Sequence, residues 1–433
     1  MAAEQHKTVI VGGGPAGLLA ACLLAKGGES VVVFDGHAAP TENTFSHFPV
    51  LNLRGQAALK ELSDDLFEAV EAVGRRVDYF EIVLKNKTFA KMPTLRTSVK
   101  RNLVVMLLVE EAKKLGVQIR WNHKLVDIDV HTRTCVFQQD DGTRPDLLVR
   151  VLHSLIGADG NYSTVRHICE AKAGLKVDVE RWGVKMHYVE LPPSAKSDTQ
   201  LDGAVHYIFG EDGYAFMQPN GNWNLVLSSR YNNHEWEMAD GEGLEDVGRR
   251  LKAHVESNIQ CMVPIFEGAS VRYEDLLTNR SFDGSIVHCA TLAPLSWIAL
   301  VGDSAHAVAP FVGEGINSSL ESACVLARVL LRGDTCADFD TERRQDAHAL
   351  WEMACTYRKD VVPSTSLEKF MTTFYKIATG IATRCGVIEG NLSAFRPASR
   401  SVRVTSYSEL TAIDKRRRCV IEPLGKALFY MTC

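Results

Sequence analysis

A chain of 433 residues is long enough for two or three domains, and 46% hydrophobic with 23% charged residues excludes a disordered or fibrous protein. Lys plus Arg (48) against Asp plus Glu (53) leaves a net charge of −5, which excludes a global positive field able to grip a nucleic-acid backbone. The eleven cysteines are odd in number, with no Cys-x-x-Cys pair and no His/Cys ligand spacing, so the expectation is a reducing, cytoplasmic setting and no metal site.

The chain begins with a short apolar run, Lys7–Val11, broken by three glycines, which reads as a buried strand rather than a cleaved leader. Gly12, Gly14 and Gly17 follow in the spacing Gly-x-Gly-x-x-Gly, with Pro15 and Ala16 between them. An Ala/Leu-rich helix over Leu18–Lys26 stops at Gly27-Gly28, and a β-branched strand, Ser30–Phe34, ends in Asp35. This is a complete βαβ unit. Gly12 permits the tight turn, Gly14 lets backbone amides approach a pyrophosphate, Gly17 allows close packing of helix on strand, and Asp35 can accept hydrogen bonds from a ribose. The motif alone leaves FAD and NAD both open.

Residues 98–129 predict a helix with Arg101 in its first turn, ended by Gly116, then a crossover back into a parallel sheet. In LIGADGNYSTVR (155–166) an apolar strand runs into Asp159-Gly160, where open α/β sheets place ligand contacts; the alternative is an ordinary turn residue. Between 176 and 280 the pattern alternates, in VHYIF (205–209), YAFMQP (214–219) and WNLVLSSR (223–230), as in an antiparallel sheet. A strand at Ile298–Val301 then delivers Gly302-Asp303, and Gly313-x-Gly315 opens a long apolar helix whose first amides can stabilise negative charge. From Thr341 onward the chain reads as helical. The basic run Lys415–Arg418 is either a solvated helix end or a weak contact for an anionic membrane surface. The last fifteen residues, interrupted by Glu422, Pro423 and Lys426, are too short and polar to span a bilayer. No second Gly-x-Gly-x-x-Gly begins another βαβ unit, which excludes paired nucleotide domains.

These landmarks, in this order, resemble the flavin-dependent aromatic hydroxylases of the para-hydroxybenzoate hydroxylase fold. Within that group the chain is most similar to the kynurenine 3-monooxygenase family, through LRGQAAL (53–59), RNLVVMLL from Arg101, HKLVDI (123–128), DGNYSTVR (159–166), HYVELPPS (187–194), Pro310-Phe311 and SYSEL (406–410). The resemblance implies an α/β fold: a Rossmann-like FAD-binding domain (1–78, 98–175 and 285–335), an antiparallel-sheet substrate domain (79–97 and 176–284) and a C-terminal helical region (336–433). It implies that Gly12, Gly14, Pro15, Ala16, Gly17 and Asp35 hold the ADP half of FAD. Arg54 and Arg101 would lie near the phosphates and ribityl chain, with Gly302 and Asp303 on the ribityl hydroxyls. Pro310, Gly313, Gly315, Ile316 and Asn317 would surround the flavin ring, and Asp159 would assist FAD and the nicotinamide cofactor. NADPH, or NADH, would reduce the flavin and leave, and O2 would form a flavin hydroperoxide that hydroxylates a small aromatic substrate.

No catalytic side chain is implied; His306 is a candidate base by residue type, and the resemblance implies a scaffold role for it instead. Substrate contacts would come from Phe216, Gln218, Glu314 and Tyr407, with Met217 and Pro219 as further lining; the alternative for the side chains of 216–219 is plain packing of sheet against sheet. Three departures stand out. Phe80 and Glu81 occupy a stretch where the family carries a carboxylate-binding Arg, Thr356-Tyr357 replaces an Asn-Tyr pair, and Glu314 stands where relatives use Gln. An ionised Glu314 facing the pocket would disfavour an anionic substrate. The alternative activity is an FAD-dependent reductase or a non-hydroxylating flavoprotein. The mitochondrial relatives carry a membrane anchor, which keeps outer-membrane association as an alternative location.

Overall fold

The computed structural model describes residues 3–42, 44, 46–139, 144, 146–192, 201–210, 212–230, 242–269, 272–274, 281–361, 365–384 and 405–432. Pro193-Ser194 of the HYVELPPS stretch and part of the C-terminal region therefore lie outside the described residues. The first sheet has seven strands. β1 (Glu4–Val11) lies between β2 (Val31–Phe34) and β9 (Leu147–Gly157), and β6 (Gln118–Arg120) and β17 (Ile298–Leu300) extend the parallel part. β7 (His123–Asp129) and β8 (Thr134–Gln139) add an antiparallel edge. Val9–Val11 and Val31–Phe34 are buried without alternation, the pattern of parallel strands covered on both faces. Helix α1 (Pro15–Lys26) makes the crossover from β1 to β2, and α4 (Arg101–Lys114) packs beside it and leads into β6.

The second sheet has eight strands in the order β15 (Ser281–Phe282), β11 (Val184–Leu191), β14 (Trp223–Arg230), β13 (Gly213–Met217), β12 (Val205–Ile208), β4 (Arg75–Leu84), β5 (Lys87–Ser98) and β3 (Val50–Leu51). It is not wholly antiparallel: β12 pairs with β4 in parallel, placing His206 beside Phe80. One face is covered by α6 (Leu244–Asn258) and α7 (Val263–Ala269), whose Leu251, Val255, Ile265 and Phe266 pack against Val205, Tyr207 and Leu225. The other face meets the loop that precedes the late helix, through Tyr188, Phe216 and Val226 against Val308, Ala309 and Val312. A ribbon of β10 (Val177–Arg181) and β16 (Ser285–Cys289) stands between the sheets in sequence.

Helices α2 (Leu53–Leu62) and α3 (Asp64–Val73) link β3 to β4, and α5 (Thr164–Ala173) follows β9. The short α8 (Asp303–His306) and the long α9 (Gly315–Leu331) follow β17, and α10 (Cys336–Val361), α11 (Ser366–Arg384) and α12 (Tyr407–Thr432) complete the chain. Tyr407, the first residue of α12, is fully buried among residues of the second sheet, the α9 loop and α10. Among the described residues no helix is long and apolar enough to cross a membrane.

Candidate functional site

The glycine-rich turn is shaped for close approach. Gly12 has φ +110°, and a Cβ there would collide with the carbonyl of Ala158; a Cβ on Gly17 would collide with the carbonyl of Gly12. Gly14 is the N-cap of α1 and Pro15 its first residue, so no side chain caps the helix and its first amides face the groove. A Cβ on Gly14 would stand 3.0 Å from a guanidinium nitrogen of Arg101. The Arg101 side chain is open to solvent along this groove, yet surrounding protein pulls its pKa below the usual value, opposed by the charges of Asp303 and Asp35. One cation therefore lies between the acid at the end of β2 and the acid after β17. Asp35 accepts from the Gly13 amide at 2.6 Å and from the His37 amide at 2.8 Å, which fixes its carboxylate over the turn.

Asp303 opens α8 behind Gly302, whose φ is +67°, and burial raises its pKa against the opposing charge of Arg101 and a hydrogen bond with Ser319. Three glycines without side chains, an uncapped helix start, and acids spaced around one arginine fit the adenosine, pyrophosphate and ribityl parts of a dinucleotide. Asp159 has a different task. Its carboxylate accepts from Ser163 Oγ (2.5 Å) and from the amides of Thr164 (2.7 Å) and Val165 (3.1 Å), capping α5. These bonds tie the Asp159-Gly160 turn to the start of α5.

At the late glycine pair, Gly313 adopts φ +71° and α9 starts at Gly315 with no side-chain cap. Among the described residues, the nearest atom beside the Cβ position of Gly315 is on Val308, at 3.9 Å, so the start of α9 is not crowded there. Asn317 is a clamp: its Oδ1 accepts from the Asn52 amide (3.0 Å), and its Nδ2 donates to the carbonyls of Val50 and Gly313 (both 3.0 Å). Glu314, 2% exposed, accepts from Asn52 Nδ2 at 2.9 Å and from the Tyr407 hydroxyl at 2.7 Å. Burial raises its pKa, while Arg54 and Arg96 pull the other way. It is therefore not a bare carboxylate facing the pocket, and the repulsion expected of it is countered by two guanidiniums.

Arg54 departs from the phosphate role expected of it. Its guanidinium binds Glu321 and the Thr405 carbonyl and lies 3.9 Å from the centre of the Tyr407 ring. The reason is charge: Glu321 on α9 is the half-buried acid its guanidinium pairs with, and α2 packs against α9. His306 is scaffold, with Nε2 2.9 Å from Ser322 Oγ and a pKa held down to about 3 by burial and then by Arg343.

The second sheet contributes an aromatic wall. Phe216 is buried against Phe48 (5.7 Å between centroids) and His206 (5.4 Å). Gln218 is buried and donates to Asn224 at 2.6 Å. Met217 points to the opposite face, toward α6 and α7, as strand alternation requires, and Pro219 is exposed in the turn. Neither belongs to the aromatic wall. Sequence reasoning missed Arg96, which is 4% exposed on β5, the strand next to β4. Its guanidinium lies 4.8 Å from the Phe80 ring, and burial lowers its pKa to about 10 against the field of Glu314. A buried cation is thus present one strand away from the place where one was sought.

The comparisons agree with this architecture. The family model described as FAD binding domain matches residues 5–335. The chain belongs to that family. FAD is accordingly its cofactor, and the resemblance to flavin-dependent hydroxylases is borne out by relatives over most of the length. Kynurenine 3-monooxygenase from Christiangramia forsetii is 24% identical over 389 residues, 85% of this chain and 83% of the relative. The enzyme of the same name from Salinispora arenicola is 26% identical, covering 85% and 80%. Among solved structures, p-nitrophenol 4-monooxygenase from Pseudomonas putida matches with TM-score 0.66 and 21% identity over 85% of this chain and 92% of that one. 2-Methyl-3-hydroxypyridine-5-carboxylic acid oxygenase matches with TM-score 0.63 and 20% identity, over 94% and 100%. These two share the fold.

Proposed function

We propose that this protein is an FAD-dependent monooxygenase that hydroxylates an aromatic, kynurenine-like substrate with NAD(P)H and O2. The observation that carries the reading is the face where Tyr188 and Phe216 of the second sheet meet the segment before α9, with Arg96 buried within the field of Glu314. Bound FAD supplies the redox and oxygen chemistry. The chain supplies position and polarity. Tyr188, Phe216 and Phe48 exclude water and face a flat ring, and the α9 amides stabilise negative charge on the cofactor. Arg96, still charged at neutral pH with a pKa of about 10, anchors an acidic substituent of the substrate. The curated relatives named kynurenine 3-monooxygenase support an aromatic amino acid as the substrate class.

The test is protein reconstituted with FAD, with NADPH oxidation and O2 uptake followed as kynurenine and simpler aromatic acids are added. Substrate-stimulated oxygen consumption with a hydroxylated product is expected. Arg96→Met should raise KM about tenfold or more, the scale of a lost charged hydrogen bond, without changing FAD content. Full FAD content with no stimulation by any aromatic acid would favour the reductase or a non-hydroxylating flavoprotein.

A further inference from the structure

Trp121 has no role in the site so far. It follows β6 at the carboxyl end of the edge strand of the parallel sheet, beside the strand that ends in Asp35. The backbone fixes it there: the Asp35 amide donates to the Arg120 carbonyl (3.0 Å), the His123 amide to the Asp35 carbonyl (2.8 Å), and the Asn122 amide to the His37 carbonyl (3.0 Å). Asn122 adopts φ +59°, a left-handed turn that few side chains tolerate but Asn does. The partly buried indole is thereby held against the glycine-rich turn. Two carbons of its six-membered ring lie 2.7 and 2.8 Å from the Cβ position of Gly13, and a carboxylate oxygen of Asp35 lies 3.4 Å from the same point. Any side chain at residue 13 would push the indole away.

We propose that Trp121 is the stacking shelf for the adenine of the bound FAD. The inference rests on FAD binding and adds the residue that holds its far end. Asp35 is the ribose acceptor, and a purine on that ribose leads away from the Arg101 and Gly14 end, toward the carboxyl end of β6. There the chain offers an indole, and a purine is a flat π system. Stacking of a base on an aromatic side chain contributes roughly 1–3 kcal/mol, or about 5- to 150-fold in affinity. Gly13 serves this arrangement by having no side chain.

The experiment titrates apoprotein with FAD and with ADP, reading intrinsic tryptophan fluorescence and dissociation constants. In the wild type, ADP should quench a tryptophan signal that is missing from Trp121→Phe. Trp121→Leu should bind FAD and ADP about tenfold more weakly, while Trp121→Phe, which keeps a π face, should bind nearly as the wild type does. Equal or tighter binding of FAD by Trp121→Leu, with unchanged circular dichroism, overturns the shelf and leaves the cofactor assignment standing. A wild-type protein that takes up neither FAD nor ADP overturns both. If Trp121→Leu fails to fold, the Phe variant still decides, because an unchanged ADP quench in it would exclude Trp121 as the reporter.

Discussion

His206 and His306 are imidazoles in places where an added charge has little water and a guanidinium nearby. Burial first, and then Arg96 for His206 and Arg343 for His306, holds each pKa down to about 3 against an ordinary 6.5. The sign follows from proton binding: between these values the unfolded chain takes up a proton that the folded chain refuses. Each histidine therefore contributes stability that is complete above pH 6.5 and is lost as pH falls toward 3, with a slope of about 1.4 kcal/mol per pH unit. Replacing His306 with Gln should remove one such slope. Urea unfolding at several pH values from 7 to 4.5 would check it, and wild-type and His306→Gln curves that stay parallel in that window would contradict it. His206 adds a second reason for sensitivity, since among the described residues its buried Nδ1 has no hydrogen-bond partner and its ring lies among Phe80, Tyr214 and Phe216.

Helix α9 works as an element because its first turn is tied to a segment more than 260 residues earlier. Asn52 caps α2, accepting from the amides of Arg54 and Gly55, and also donates to Glu314 and to Asn317. Asn317→Ala would leave the Val50 carbonyl and the Asn52 amide without that side chain, a loss of roughly 1–3 kcal/mol. The expected result is a lower unfolding midpoint and about tenfold weaker FAD retention, measured as flavin released on gel filtration; undiminished retention would mean that α9 positions itself without the clamp. Elements whose chemistry is local could be read directly from sequence. Gly12, Gly14 and Gly17, around the start of α1, lie within six residues, and Gly302-Asp303 and Gly313-x-Gly315 announce a turn and a helix start. Side-chain destinations set by distant partners could not. Arg54 turns to Glu321, and the slips in register between β4 and β5, at Val77/Tyr79 and Ile82/Val83, hide which strand carries the buried arginine. Asp159 was readable either way, because the Ser163-Thr164 pair that it caps lies only four and five residues on.

Across the whole molecule, the cofactor groove draws on segments far apart in the sequence: the β1–α1 turn, the end of β2, the start of α4, the β17–α8 turn and the start of α9. Their charges are mixed, with Asp35 and Asp303 around Arg101, and each is held in the folded chain but scattered in the unfolded one. A dinucleotide that touches all of them binds only the folded state, so its binding free energy adds to stability as RT ln(1 + [FAD]/Kd), about 2.7 kcal/mol at a hundredfold excess over Kd. The thermal midpoint should therefore climb with the logarithm of FAD concentration. With FAD placed as the sequence landmarks imply, ADP would reach only the β1–α1 turn, Asp35 and Arg101, and should give a smaller rise at the same multiple of FAD's Kd, because it would leave Asp303 and the α9 amides uncontacted. Differential scanning measurements with FAD, ADP and no ligand would separate these cases. A midpoint that ADP raises as far as FAD does would place the whole gain at the nucleotide end and leave the late glycine pair without a part in holding the cofactor.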